Sequence, residues 1–384
     1  MLLFSLDLHY LQSMTYKKIK THSKNFKIPF PKPLVKSNSS LIIYNSSLLN
    51  TDTTDVPLVT ILIPTYNQHL SYLQQSVESA LAQTYPNIEI IISDNHSNND
   101  TPQYLNSLKD KRIRLVKPPT HLPITPHFQW LSEQAQGAYI SFLCSDDWLE
   151  PTCIAELIDL VVLHKNVVAG FCNVKLWSKG VLSDFVYLQN EICPSKSELK
   201  AYIQFKKVKG NLVGNLLKKE VYQKIGGIGN GNLSFSADKW LLIQMAAQGY
   251  IAYTQNSLAV FRVDNPLRGQ RIVTYIQEIH QLYALIEQHY LDRIEDGKAL
   301  LQAEKKAMAF EYLAAIPTNL KRGEIDTMQF NEAVSHIQQL SDAPTVQFCC
   351  KNYDKPYFVR LCSVFFYVMR KKRDVALKIR QFFR

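Results

Sequence analysis

The middle of this chain predicts an α/β fold built on a mostly parallel sheet with helices on both faces. Three observations carry that prediction. Short aliphatic runs, Val59 to Ile63, Ile88 to Ile92 and Tyr139 to Leu143, alternate with stretches whose apolar residues recur at helical spacing. Each run stops abruptly at polar residues, Thr65 to Asn67, Ser93 and Asp94, and Ser145 to Asp147. Finally, 46% hydrophobic residues and only 13 glycines in 384 positions describe a globular protein with a real core, neither disordered nor fibrous.

In chain order, residues 1–55 come first, an arm that mixes Lys17, Lys18, Lys20, Lys24 and Lys27 with Pro29, Pro31 and Pro33 and has no sustained period. Val59 to Ile63 is the first strand, stopped at Pro64. Leu73, Val77, Ala80 and Leu81 mark the helix that follows, and Tyr85, Pro86 and Asn87 make a turn. Ile88 to Ile92 is the second strand and Ile113 to Val116 a third. A helix from His127 to Ala135 leads into the fourth, Tyr139 to Leu143. Ile154, Leu157, Ile158 and Val161 give another amphipathic helix, and Val167 to Val174 a further strand. The pattern then loosens as far as Gly231, through a basic run at Lys206 to Gly210 and a glycine-rich turn at 226–231. That turn lacks the Lys and Ser/Thr of a phosphate-binding P-loop. Asp238 and Trp240 open another helix. Beyond Arg271 the chain reads as helical, from Ile276 to about Met308 and from Met328 to Leu340. Its last part joins the aromatic run Tyr357 to Met369 to a basic cluster, Arg370 to Arg384, a composition suited to lying in a lipid headgroup region or to packing on the domain.

Bulk properties narrow the function classes. A formal net charge of +10 points to a polyanion, a membrane surface or an acidic substrate. Seven scattered cysteines form neither a disulfide framework nor a metal-ligand spacing, which fits a reducing cytoplasm. Neither a signal peptide nor a membrane-spanning run is read from the sequence. The chemistry concentrates at Asp146 and Asp147, two adjacent carboxylates where a buried parallel strand emerges at its carboxyl end, the rim at which open α/β sheets bind ligands. Side by side they call for a cation or a ring of donors, and a hard divalent metal carrying phosphates answers that need. The alternative is that they cap the helix beginning near Thr152.

The motifs Pro64-Thr65-Tyr66-Asn67, IIISDNHSNND with Asp94, Ser145-Asp146-Asp147, Ala237-Asp238 with Trp240, and Phe261-Arg262-Val263-Asp264 follow in this order. Together they resemble the family 2 glycosyltransferases with the GT-A fold, over roughly Pro57 to Arg271. The resemblance implies a Rossmann-like mixed, mostly parallel sheet flanked by helices. This domain, 56–271, would stand between the basic arm 1–55 and a helical C-terminal region 272–384 ending in a basic amphipathic helix. It further implies an inverting transferase that moves a sugar from a nucleoside-diphosphate sugar, UDP-linked, to a hydroxyl of a polysaccharide or lipid-linked glycan.

The expected roles follow from the donor's parts. Pro64, Thr65, Tyr66 and Asn67 wall the base, and Asp94 accepts from a ring N–H. Ser145 and Asp146 take the ribose side, and Asp147 holds Mg²⁺ or Mn²⁺. Asp238 is the general base. Arg262, with Arg268 or Arg271, adds charge for the diphosphate. Asp94 has a rival role as a turn cap, and Asp238 as a helix N-cap. The chain departs from the family pattern at Cys144, Ala237 and Asp264, where acidic residues or a histidine are common. Those departures motivate a second reading, a degenerate member that binds nucleotide sugar or a partner without transfer. A third, nucleic-acid binding driven by net charge, lacks any groove-binding pattern. The expected location is cytoplasmic, with peripheral contact at the inner face of the membrane through 357–384.

Overall fold

The computed structural model describes residues 56–185, 191–194, 199–201, 203, 212–263, 272–321, 323 and 325–353. The basic arm, the run Lys206 to Gly210, Asp264, Arg268, Arg271 and the C-terminal aromatic and basic stretch lie outside these residues.

Strand β1 (Val59–Thr65) is buried along its whole length, which a strand covered on both faces requires. It pairs in parallel with β2 (Ile88–Asp94) on one side and β4 (Tyr139–Phe142) on the other, and β3 (Ile113–Val116) extends the parallel set beyond β2. Each fully buried isoleucine in β1 and β2 contributes about 1.5–3 kcal/mol by leaving water. Glu89, near the start of β2, ties its neighbours together: its carboxylate accepts from Thr60 Oγ1 at 2.5 Å and from the Gln136 amide at 2.6 Å. Helices α1 (Leu70–Leu81), α2 (Thr101–Ser107) and α3 (Ile124–Glu133) connect the four strands. α1 buries Leu73, Ser76, Val77 and Ala80, the i, i+3, i+4, i+7 stripe of an amphipathic helix.

The second half of the sheet is mixed. A two-residue strand, β5 (Trp148–Leu149), precedes α4 (Cys153–Val162) and the long β6 (Val167–Ser178). Strands β7 (Val181–Phe185) and β8 (Glu191–Cys193) pair antiparallel to β6 and β10, respectively. Strand β9 (Asn215–Lys218) runs antiparallel between β4 and β6, so the order is β3-β2-β1-β4-β9-β6-β10-β5. Asn215 is buried and completes the junction: its Nδ2 donates to the Phe142 carbonyl at 3.1 Å, and its Oδ1 accepts from the Phe142 amide at 3.2 Å. After α5 (Lys219–Lys224) and α6 (Ala237–Gln248), β10 (Tyr250–Arg262) runs parallel to β6 with register shifts between Thr254 and Ala259. Bulges of this kind bend a strand. Past the shift, Ala259 and Val260 pair with β5, and the strand ends beside the acidic turn.

The C-terminal region contributes α7 (Ile272–His289), α8 (Gly297–Lys321), α9 (Thr327–Leu340) and α10 (Pro344–Lys351). Sequence periodicity predicts one helix from Ile276 to about Met308. The chain breaks it with a 3₁₀ turn at Leu291–Arg293, then Asp296 at φ 57° and Gly297. A side chain on Gly297 would lie 2.5 Å from the Leu291 carbonyl oxygen, so glycine permits this corner. A capping box of Asp326 and Gln329 starts α9. Among the described residues no helix is long and apolar enough to cross a membrane.

Candidate active site

The carboxyl ends of β1, β2 and β4 form one rim, because the register Thr65↔Asp94 and Leu62↔Phe142 aligns them. Pro64 and Thr65 are buried in β1, so what they offer a ligand is backbone. Tyr66 is 50% exposed, and its ring lies 4.5 Å from that of His121. Asn67 adopts φ 47°, a left-handed conformation that asparagine tolerates. The Asn67 amide donates to Ser97 Oγ at 2.8 Å and its Oδ1 accepts from the Asn98 amide at 2.8 Å, which ties the β1–α1 loop to the loop after β2. Gln68 Nε2 donates to Ser145 Oγ at 3.1 Å, tying the same loop to the acidic turn.

Asp94 is 8% exposed, and one of its oxygens accepts from the Ser97 amide at 3.0 Å. It therefore caps its own turn, the role foreseen as a rival to donor binding. Beside it the Ser93 hydroxyl bonds His127 Nε2 at 2.7 Å within the interior. Burial holds the His127 imidazole down at about 4, against an opposing pull from the Asp94 charge. An unfolded chain takes up this proton below about 6.5, the folded one only below about 4, so stability falls as pH drops through that window. The expected result is a melting temperature that declines from pH 7 to pH 4.5 less steeply in His127→Gln than in the native chain. Equal slopes would remove His127 as the cause.

The turn Cys144–Trp148 closes with the Asp147 amide donating to the Cys144 carbonyl at 3.0 Å. Asp147 is 1% exposed, and its Oδ1 accepts from the Arg262 backbone amide at 2.8 Å. Arg262 clamps the turn with its side chain too. Nε donates to the Asp146 carbonyl at 2.9 Å, a terminal nitrogen donates to Gln75 Oε1 at 2.8 Å, and the guanidinium lies 3.8 Å from the Tyr72 ring centre. Cation–π stacking and charge-assisted hydrogen bonds of this kind hold a guanidinium in one orientation. Trp148 and Leu149 pair with β10 and fix the turn from the other side.

Cys144, Asp146 and Asp147 each offer a ligand atom, all within 4.8 Å of one another. Two carboxylates suit a hard divalent cation. Burial pushes the Cys144 thiol well above its ordinary value, and the charges of Asp147, Asp146 and Asp238 push it the same way. A bound cation would act on the thiol in the opposite direction, and a hard cation prefers the two carboxylates to sulfur. Asp238, 91 residues or more away in sequence, is near enough to Cys144 for its charge to act on the thiol, although it offers none of the three ligand atoms clustered there.

Asp238 stands in the first turn of α6, whose N-cap is Ser236. Its Oδ1 accepts from the Lys239 amide at 2.8 Å. The loop before it is held from two sides: Thr125 Oγ1 of α3 donates to the Ser234 carbonyl at 3.3 Å, and the Glu278 carboxylate of α7 accepts from the Ser234, Phe235 and Ser236 amides. Sequence reasoning does not single out Gln68, Tyr72, Gln75, His121, His127 or Glu278. Tyr72 and Gln75 stand at i, i+3 on α1, a polar face that periodicity reads only as solvent-exposed.

A rim of carboxylates at the ends of the parallel strands of a mixed sheet, followed by a helical region, is the architecture of the GT-A glycosyltransferases. Residues 60–185 match the family described as Glycosyl transferase family 2. An uncharacterized glycosyltransferase of Haemophilus influenzae is 34% identical over 129 residues, 32% of this chain and 50% of the relative. The Escherichia coli enzyme WfaP is named as a UDP-Glc:alpha-D-GlcNAc-diphosphoundecaprenol beta-1,3-glucosyltransferase. It is 40% identical over 108 residues, 28% of this chain and 43% of that protein. The chain thus spans about half the length of these curated relatives. Among solved structures, S. aureus TarS 1–349, in complex with UDP-GlcNAc, aligns with a TM-score of 0.54 at 14% identity, over 84% of this chain and 91% of that one. That likeness concerns the fold.

Proposed function

We propose that the protein transfers a sugar from a nucleoside-diphosphate sugar, UDP-linked, to a hydroxyl of a polysaccharide or lipid-linked glycan, with inversion at the anomeric carbon. What supports this reading most is the pair Asp146 and Asp147 clustered with Cys144 at the sheet rim, with Asp238 of another segment near enough for its charge to reach the same thiol. That arrangement separates a binding side, on the β1, β2 and β4 loops, from a base on a different segment, as a single displacement needs. The UDP assignment draws on the donors printed for WfaP and for the TarS complex.

In this reading the uracil ring lies against Tyr66, braced by His121, and the Asp94 oxygen not engaged by Ser97 accepts its ring N–H. Ser145 and Asp146 receive the ribose hydroxyls. Asp147, with Asp146, would hold Mg²⁺ or Mn²⁺, which when bound supplies Lewis-acid stabilisation of the departing diphosphate. Arg262 serves the donor chiefly by holding the acidic turn, since its guanidinium hydrogen-bonds Asp146 and Gln75. Asp238 takes the proton of the acceptor hydroxyl as the new glycosidic bond forms.

The test is a panel of nucleotide sugars offered with membrane-extracted and soluble glycan acceptors, with release of free nucleotide as the readout. UDP is expected to bind saturably by calorimetry, and one UDP-sugar to turn over. Tight binding of GDP but not UDP would overturn the donor assignment. Saturable UDP binding with no turnover across the panel would favour the non-catalytic reading that Cys144 and Ala237 suggest.

A further inference from the structure

The C-terminal helical region grips the segment that leads into Asp238. Three side chains of α7, spaced by three residues and so on one face, reach it. Gln281 Nε2 donates to the Gly231 carbonyl at 2.8 Å, at the start of the loop. Tyr275, at the other end, bonds the Nζ of Lys239 through its hydroxyl, and its ring lies 4.8 Å from that nitrogen. Between them Glu278 does the most. Its Oε1 accepts from the Ser234 amide at 3.0 Å, and its Oε2 accepts from the Phe235 amide at 2.7 Å and the Ser236 amide at 2.9 Å.

The N-cap residue Ser236 makes no side-chain cap hydrogen bond to α6, and its hydroxyl is buried without a partner. The three amides just upstream converge on a carboxylate from another helix instead. Three parallel N–H groups aimed at one anion are a strong restraint, because each such bond is charge-assisted and both oxygens are engaged. The last of those amides belongs to Ser236, two residues before Asp238.

We propose that Glu278 is a positioning residue for Asp238: its carboxylate fixes the 234–236 backbone and thereby sets where the base meets the acceptor hydroxyl. This rests on the reading of Asp238 as the base. It also gives the C-terminal helices a part in the reaction, as the brace that determines the base's position. The acidic turn of the proposed donor-binding rim, by contrast, is bonded by Gln68 of the β1–α1 loop and by Arg262 of β10, which Gln75 of α1 holds in turn.

The experiment compares Glu278→Gln, Glu278→Ala and Gln277→Ala in the full chain. Gln277 is exposed on the same helix and bonds Glu332 and His336, so its variant controls for general loosening of α7. Glutamine keeps the shape of Glu278 but offers one acceptor oxygen and an NH₂ group facing amide donors. Expected is a fall in kcat of about 10-fold or more in Glu278→Gln and more in Glu278→Ala, as loss of alignment at a reacting centre produces. The UDP dissociation constant should stay within about twofold and the KM for the donor unchanged, while Gln277→Ala matches the native kcat. Unchanged kcat in both Glu278 variants would overturn the proposal, as would parallel loss of UDP binding and kcat. If Asp238→Asn itself leaves kcat intact, it is the base assignment that fails, and the two failures are told apart. Glu278→Ala leaves three backbone amides without their acceptor, so circular dichroism melting checks that each variant is folded, and Glu278→Gln, which keeps the side chain's shape, carries the comparison.

Discussion

Asp238→Asn is expected to lower kcat for sugar transfer by roughly 10²–10⁴-fold while leaving UDP affinity within about twofold, the range that removal of a general base produces. The substitution is isosteric, and the asparagine carbonyl can still accept from the Lys239 amide, so α6 starts as before. What disappears is the capacity to take a proton. Transfer of the sugar to the acceptor with release of free UDP, measured at saturating donor, checks the rate, and calorimetric titration with UDP checks the binding. A variant that transfers at the native rate would mean that the proton leaves by another route and that Asp238 serves only as a first-turn acidic residue of α6, where a carboxylate stabilises the helix by about 0.3–1 kcal/mol.

Asp147→Asn is expected to act on the other side of the reaction. The amide oxygen keeps the hydrogen bond from the Arg262 backbone, so the turn remains closed. The charge is gone, however, and with it a hard anionic ligand. In the native chain UDP should bind more tightly with Mn²⁺ than with EDTA. In Asp147→Asn that difference should vanish, and kcat/KM should fall by about 100-fold or more, because charge stabilisation at the leaving group is among the larger contributions to such reactions. Native-chain affinity for UDP that is the same in Mn²⁺ and in EDTA would dismiss the metal from the proposed mechanism.

The two predictions lean on different parts of the sequence, and those parts were not equally readable. The parallel half of the sheet was legible because each strand is a continuous aliphatic run broken by polar residues, and β1 and β2 begin where periodicity puts them, at Val59 and Ile88, running on through the polar residues to Thr65 and Asp94. The rim motifs were legible for the same reason, since a buried strand can end only where polarity returns. The antiparallel strand β9 was not. Its four residues, Asn215 to Lys218, carry too short a pattern, and it is specified by tertiary partners on both sides. The brace around Asp238 was hidden by distance: Glu278 lies 42 positions beyond Ser236 and reads as one more polar residue on an amphipathic helix. The break between α7 and α8 was written in Asp296-Gly297, a pair suited to a positive φ followed by a crowded backbone, but helical period masked it.

The hydrogen bond from the Arg262 backbone to Asp147 spans 115 residues, so the acidic turn is anchored by a strand far along the chain. Strands β1 to β4 close over fewer than 85 residues and gain their contacts early, since short loops cost less entropy to form. The acidic turn gains its final shape only when β10 arrives, and β10 in turn depends on β6 and the bulge that bends it. A chain cut before Tyr250 lacks the strand whose backbone donates to Asp147, so its acidic turn is left without that anchor.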